Sequence, residues 1–461
     1  MKRRLAQVAA VVLCVGMVGT LAACGNSSSD SSGGDTAAAD EEDLEPVTEE
    51  ETADQEAAAA EEEDEGEASQ AAASSGDMIT VGMVYPATGA LAGYGQGTEE
   101  MYSYAIDQIN EQGGIEVDGE MKQLEIVFAD SESDATKASE AANNLISSKG
   151  VQIMLTAKTA DTTVPVAAAC ERAGIVCLSD DTPDEAWATS DYQYAFHAGF
   201  DTEHEMMCFS AMWDTATNGE GGTVAVMHAT DTEGQTLSTA FLDYIPTLDG
   251  YEAYDPGAYT SGATDYTSII NNIKSEDCAI ITGVMLTSDF GTFFSQLKSS
   301  GYMPKATLIG KATLFKSDVE ACGADGLADK LCSEIWWTPD YPYNSSITGQ
   351  TSQEIADAWI EVVPGFDYAP PTAGYDYANV EILYNVLKEA GTLDSDAIAE
   401  CCETITFDTC IGPIDYNESH YSVQPIVTGQ WHYEGNAEWS QTVIDTSQVE
   451  GLEPNGEFES Y

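Results

Sequence analysis

The chain has 461 residues, of which 80 are acidic and only 15 are Lys or Arg, for a formal net charge of −65. This balance excludes nucleic acid as a partner, because phosphate binding needs clustered cations. The hydrophobic share of 43% provides for a substantial core, and the acidity bears on solubility rather than on fold.

In chain order, Lys2, Arg3 and Arg4 precede an apolar run from Leu5 to Val18, then Leu21-Ala22-Ala23-Cys24 and Gly25. A basic start, a short apolar core and small residues before a cut site describe a secretory signal, residues 1–23. Leu-Ala-Ala-Cys resembles a bacterial lipobox, which implies cleavage before Cys24, lipidation of its thiol and a membrane anchor. From Ser27 to Ser75 the chain is mostly Ser, Gly, Ala, Asp and Glu. Such a stretch buries too little apolar surface to offset its ordering entropy, so residues 24–77 are expected to form a disordered acidic tether. A flexible coil of this length spans roughly 40 Å. No later stretch approaches the ~20 apolar residues of a membrane span.

From Met78 onward apolar β-type runs alternate with helical patterns. Ile79–Tyr85 reads as a strand, and a loop from Pro86 to Tyr94 leads into a helix ending at Gly113-Gly114. Leu124–Ala129, Val151–Leu155 and Ile175–Leu178 read as further strands. Between them lie a helical stretch carrying Ala135 to Ile146 and another at Thr163–Ala173. A second series runs through helix Thr202–Trp213, strand Val224–His228, helices Gln235–Tyr244 and Tyr266–Lys274, strand Ala279–Thr282, helix Phe290–Ser300 and strand Thr307–Ile309. Glu334–Trp337 reads as a strand returning to the first lobe. Thr351-Ser352-Gln353-Glu354 is a capping box, and Tyr375–Ala390 and Asp394–Glu403 are helical. Short strand–helix–strand connections imply right-handed crossovers and parallel sheets. The fold class is therefore α/β, with two doubly wound parallel-sheet lobes joined by hinge crossings. Lobe 1 is expected at about 78–199 and 337–412, and lobe 2 at about 200–336 and 413–461.

Eleven cysteines are present, and loss of Cys14 with lipidation of Cys24 leaves nine, so at least one is unpaired within the chain. Outside the cytoplasm disulfides are permitted. Spacing leaves open Cys170 with Cys177, Cys322 with Cys332, and Cys410 with Cys401 or Cys402.

These features resemble the type I periplasmic binding proteins, the two-lobed "Venus-flytrap" fold, and among them the branched-chain amino-acid-binding (leucine-binding) family. The resemblance rests on Ile79 to Gly89 with Tyr94-Gly95, on Ala105 to Asn110 with Gly113-Gly114-Ile115, and on Leu124 to Asp130. Further support comes from Gly174 to Ser179, Ile309 to Ala312, Ser345 to Gln350 and Ile411 to Ile414. It implies an interlobe cleft that closes on a ligand at the carboxyl ends of the strands. By resemblance, Tyr94 is an aromatic ligand contact, and Lys158, Thr159 and Ala160 form the loop that holds a carboxylate. Thr162 is alternatively the N-cap of the following helix. Asp181 and Thr182 meet the ligand's polar end, Glu233 with Gly234 stands in a family Tyr-Gly position, and Met285 and Leu286 offer an apolar wall. Lys311 occupies a position near which amino-acid-binding members usually carry an acid. Lys158 and Lys311 facing one cleft would favour an anionic ligand, whereas pairing of Lys311 with surface carboxylates is the competing expectation.

Other chemistry finds no pattern. His197 and His204 straddle a crossover rather than one helical turn, and Cys401-Cys402 with Cys410 lacks zinc-site spacing. There is no nucleophile elbow, Walker loop or His-Glu-x-x-His motif. No catalytic set, cofactor or metal is expected, which disfavours an enzyme on this scaffold. The expected function is a lipid-anchored, extracytoplasmic solute-binding protein at the cell surface or in the periplasm. It would capture a small amino-acid-like or carboxylate ligand and pass it to the permease and ATPase subunits of an ABC transporter. The alternative is a ligand-sensing surface receptor of the same fold.

Overall fold

A strand buried on both faces reads as a continuous apolar run, and β1 (Met78–Tyr85) is such a strand, its last five residues all buried. It lies at the centre of a sheet, with Val81 level with Ile126 on one neighbour and Ile153 on the other. The structure is a computed structural model that describes residues 78–181, 187, 191–230, 232–323 and 326–461. The expected signal (1–23), Cys24, the tether to residue 77 and Thr182 lie outside the described residues. No described helix is long and apolar enough to cross a membrane.

Beyond β1 come a short hairpin, β2 (Ile115–Val117) with β3 (Glu120–Asp130), then β4 (Ile153–Ala157), β5 (Cys177–Asp180) and β6 (Ala195–Gly199). The second series contains β7 (Gly222–Met227), β8 (Tyr251–Tyr254), β9 (Ile280–Val284), β10 (Ala306–Gly310) and β11 (Cys332–Ile335). A small hairpin, β12 (Phe407–Thr409) with β13 (Gly412–Ile414), precedes β14 (Tyr421–Val423), β15 (Val427–Gly435) and β16 (Glu438–Asp445). Two seven-stranded sheets result, ordered β14-β6-β5-β4-β1-β3-β2 and β16-β15-β11-β10-β9-β7-β8. Helices pack against both, so each lobe is doubly wound as expected. The capping box opens helix Ser352–Val362: the Thr351 hydroxyl accepts from the Glu354 N–H while the Glu354 carboxylate accepts from the Thr351 N–H.

The expected lobe assignments need two corrections. The strand read at Glu334–Trp337 does not return to the first lobe. Its ordered part, β11, pairs with β10 and β15 inside the second sheet. Conversely, the chain does not enter the second lobe at residue 413, because β14 pairs in parallel with β6 at the edge of the first sheet. The last crossing therefore lies between Val423 and Val427. Of the strands that escaped the sequence reading, four have a plain physical reason. β6 mixes a histidine with small residues, β8 is short, and the antiparallel β15–β16 ribbon is too polar to read as a buried run. The nine described cysteines are all buried thiols, so none of the pairings left open is formed.

Three crossings join the lobes: Phe200–Asp201, Trp336–Thr338 and Gln424–Ile426. They run side by side, since β6 neighbours β14 and β11 neighbours β15. The Tyr341 hydroxyl lies 3.3 Å from the Trp336 carbonyl and 3.2 Å from the Pro425 carbonyl, so its one proton serves two crossings. Trp337 donates its indole N–H to the Cys410 carbonyl at 3.1 Å and lies flat on helix Thr372–Ala390 over Gly374. A Cβ at Gly374 would stand 2.3 Å from the Trp337 ring carbons. Gly374→Ala is therefore expected to destabilise the protein by at least the ~1–3 kcal/mol typical of overpacking. The check is a lowered urea midpoint with an altered tryptophan emission maximum.

Candidate functional site

The loop after β1 is shaped by Asp130 at the end of β3. Its carboxylate accepts from the N–H groups of Ala87 and Thr88 at 3.0 and 3.2 Å and from the Thr88 hydroxyl at 2.6 Å. Partial burial opposes ionisation of Asp130, but these donors outweigh it and hold the carboxyl below its ordinary value. The loop so fixed presents Tyr94, half-buried, to the second lobe. The Tyr94 ring meets Phe315 edge-on at 5.1 Å and stacks on Trp336 at 6.1 Å, with Phe200 a further 5.3 Å from Trp336. Tyr94 follows the carboxyl end of β1, and Phe315 follows that of β10. This contact therefore brings the carboxyl edges of the two sheets against each other.

On the first-lobe edge, Thr159 is the N-cap of helix Ala160–Ala173, and its hydroxyl shares a 2.9 Å hydrogen bond with that of Thr162. The N-cap is thus Thr159 rather than Thr162. Ala160 is the first helical residue, where backbone N–H groups have no intrahelical partner by geometry. Lys158 departs from expectation. Its side chain is wholly buried, and its ammonium donates to Asp376 at 2.6 Å and to Asp181 at 3.2 Å. It is committed to carboxylates rather than open to an anion, so the argument for an anionic ligand loses its first-lobe half. Burial alone would lower the lysine, but Asp376 and then Asp181 reverse that and raise it above its ordinary value.

Asp181 is equally buried, and burial, opposed by Lys158, pushes it up to about 7. Asp180 beside it is raised well above the carboxylate range by burial and then by the charge of Asp181. Lys158 at φ 100° and Asp181 at φ 70° both sit in the left-handed region, a strained backbone for side-chain-bearing residues that concentrates at functional sites.

On the second-lobe edge, Lys311 follows β10, also left-handed at φ 65°. It lines a cavity of about 40 Å³ with Gly234, Tyr259, Ser261, Met285 and Leu286. Gly234 is required there because a Cβ would meet the Ala229 carbonyl oxygen at 2.7 Å. Met285 is buried while Leu286, 55% exposed, stands on the rim. Glu233 falls in the first turn of helix Thr232–Tyr244, and its side chain lies outside the described atoms. Gly234, Met285, Leu286 and Lys311 thus line one cavity, while Tyr94, Thr159, Ala160 and Asp181 each follow the carboxyl end of a strand of the first sheet.

Sequence reasoning missed Phe200, Phe315, Trp336 and Asp376. The aromatics lie on crossings and a loop with no periodic signal. Asp376 left one: like Glu381 it is a charged residue within a mostly apolar helical run, and such residues are buried only when partnered. A larger hollow of about 380 Å³ lies on the flank between helix Ser352–Val362 and β15–β16, near Trp337, Trp431 and Trp439. It contains none of the expected ligand residues, and α/β sheets bind at their strand ends, so the crevice is the candidate site. Among the described residues, no group of three or more His, Cys, Asp or Glu is arranged to hold a metal.

A family model described as "Periplasmic binding protein" matches residues 78–436. The leucine-, isoleucine-, valine-, threonine- and alanine-binding protein of Pseudomonas aeruginosa is 23% identical over 344 residues, 74% of this chain and 86% of that protein. Leu/Ile/Val-binding protein homolog 2 of Brucella abortus is 22% identical over 77% of this chain and 90% of its own length. Among solved structures, a branched-chain amino acid transporter substrate binding protein from Streptococcus pneumoniae, in complex with isoleucine, matches with a TM-score of 0.64. That match has 19% identity and covers 80% of this chain and 100% of the other. A solute binding protein of an ABC transporter from Rhodopseudomonas palustris, in complex with 3,4-dihydroxybenzoic acid, matches with a TM-score of 0.62. Its identity is 18%, over 81% of this chain and 98% of that one. At such identities the structural likeness shows the fold.

Proposed function

Because the chain belongs to the periplasmic binding protein family, whose members bind solutes rather than transform them, we propose that it is the substrate-binding lipoprotein of an ABC transporter. It captures a small amino-acid-like or carboxylate solute between its lobes and delivers it to the membrane permease and its ATPase subunits. Lipidated Cys24 anchors it at the cell surface or in the periplasm. The tether from 24 to 77 gives the lobes reach; two acyl chains would make the anchorage stable where one would not.

The observation that carries this reading is the contact of Tyr94 with Phe315 and Trp336, which joins the two strand-end edges. A ligand held there touches both lobes and so favours the closed arrangement in proportion to its differential affinity. Relatives named for leucine, isoleucine and valine binding support an amino-acid-like solute, and the neighbour holding 3,4-dihydroxybenzoic acid supports a carboxylate. Tyr94, Thr159 and Ala160 supply the first-lobe contacts, backed by Lys158 and Asp181, with Thr182 beyond them. Glu233 and Lys311 supply the second-lobe contacts.

A thermal-shift screen of amino acids, aliphatic and aromatic carboxylates and short amides, followed by calorimetry, identifies the ligand. Tyr94→Ala is expected to weaken the best hit by roughly thirtyfold, a loss of about 2 kcal/mol as for a central aromatic anchor. Lys311→Ala is expected to weaken an anionic hit by about tenfold. Unchanged affinity in both variants would remove the crevice as the binding site.

A further inference from the structure

Lys158 is a feature that solute capture by itself does not require. It stands at the first position after β4, where the loops following β4 and β5 meet Asp376, one turn into helix Thr372–Ala390. Three carboxyl groups surround it: Asp376 and Asp181 accept from its ammonium at 2.6 and 3.2 Å, and Asp180 is the neighbour of Asp181. All four residues are buried, with none more than 2% exposed. The Thr98 hydroxyl, at the start of the helix after the Tyr94 loop, approaches Asp376 at 3.4 Å. The nest therefore lies directly under the first-lobe edge of the crevice.

Lone pairs are left over. Asp181 Oδ1, Asp376 Oδ2 and both oxygens of Asp180 are buried without a hydrogen-bond partner. A set of carboxylates converging on one point is the arrangement that receives an ammonium, and here an ammonium already fills it, supplied by the chain. The backbone is held at φ 100° at Lys158 and φ 70° at Asp181 in this arrangement, which indicates that the surrounding fold enforces it. Burial also keeps the nest from carrying three free negative charges, since Asp180 and Asp181 both hold their protons more tightly than ordinary carboxyls. With Lys158 paired to Asp376 and the other two carboxyls holding their protons, the nest offers a second ammonium no net negative charge to offset its desolvation.

We propose that Lys158 is the specificity-determining residue of the first-lobe half-site: its own ammonium occupies the carboxylate nest, so the solute taken is an amine-free carboxylic acid rather than an α-amino acid. This rests on the crevice being the binding site. Lys158 touches the solute only through Thr159 and Ala160, which it positions, and it sets the class by excluding a competing cation.

The test uses matched pairs of acids on the full-length protein: leucine against 2-hydroxy-4-methylpentanoate and 4-methylpentanoate, and phenylalanine against 3-phenylpropanoate. The amine-free member is expected to bind at least about tenfold more tightly in at least one pair. In Lys158→Ala that preference is expected to shrink or reverse, and ethylammonium chloride is expected to raise the variant's melting temperature but not the wild type's. Tetramethylammonium, which has no N–H to donate, is expected to have no such effect. Should Lys158→Ala not fold, Lys158→Met with Asp376→Asn removes both charges at similar volume and is expected to show the same loss of preference. A merely structural lysine would move stability in these variants without moving the choice between members of a pair. Tighter or equal binding of the amino acids by wild type overturns the proposal, as does a preference retained in the variants. If no acid protects the protein, or affinity is unchanged in both Tyr94→Ala and Lys311→Ala, the crevice reading falls with it. If Tyr94→Ala weakens binding while amino acids bind best, the Lys158 proposal alone falls.

Discussion

Asp376→Ala is expected to cost about 3–5 kcal/mol of folding stability, the loss typical when one partner of a buried ion pair is removed. Asp376 lies one turn into helix Thr372–Ala390, and its 2.6 Å bond is the shorter of the two ion pairs made by Lys158. Without it, a wholly buried ammonium keeps only Asp181, whose own ionisation is already suppressed by burial. Removing both charges is a different matter. Lys158→Met with Asp376→Leu replaces the pair by apolar groups and is expected to recover most of the loss, because the desolvation cost disappears with the attraction. Urea midpoints for Lys158→Met, Asp376→Leu and the double variant give the coupling directly. If Asp376→Ala loses less than about 1 kcal/mol, the Lys158–Asp376 contact is not an ionised buried pair.

The second large effect is a stability that falls as pH rises. Burial first, partly opposed by N–H donors from Cys410 and Ser346, pushes Glu381 up to about 7 within the same helix. Burial likewise pushes Glu334, at the end of β11, and Asp181 up to about 7, and Asp318 up to about 6. Each of these groups holds its proton more tightly in the folded state than in the unfolded chain. Their contribution is therefore fully present below about pH 4 and is lost as pH climbs through about 7. For Glu381 alone the shift corresponds to about 3 kcal/mol. Asp130, Asp201, Asp265 and Asp367 are shifted the other way and act only on the acid side of about pH 4. Urea unfolding at pH 5 and pH 8 in about 1 M salt, where surface repulsion is screened over about 3 Å, isolates the buried groups. The pH 5 protein is expected to be the more stable by several kcal/mol, and a flat or rising profile would sink the assignment.

The strand ends that carry Tyr94, Thr159, Ala160 and Lys311 are legible in the sequence, because strand ends and glycine-bounded loops are local features, readable from runs such as Ile79–Tyr85 and Thr307–Ile309. Gly234, Met285 and Leu286 were likewise brought to one surface with Lys311. The sense of Lys158 was not legible. Its partner Asp376 lies 218 residues downstream, and no spacing rule connects a loop after one strand with a position inside a distant helix.

By itself the amino-acid sequence determined the alternation of strands and helices, the two doubly wound lobes and the loops that border the crevice. These follow from periodicity and turn chemistry, which act over a few residues. Only the tertiary structure decided that β11 stays in the second sheet, that β14 closes the first, and that the lysine beside the ligand loop is spent on carboxylates of its own lobe. Those outcomes depend on which distant segments compete for the same sheet edge and the same buried charge. That competition is settled by packing and desolvation across the whole chain.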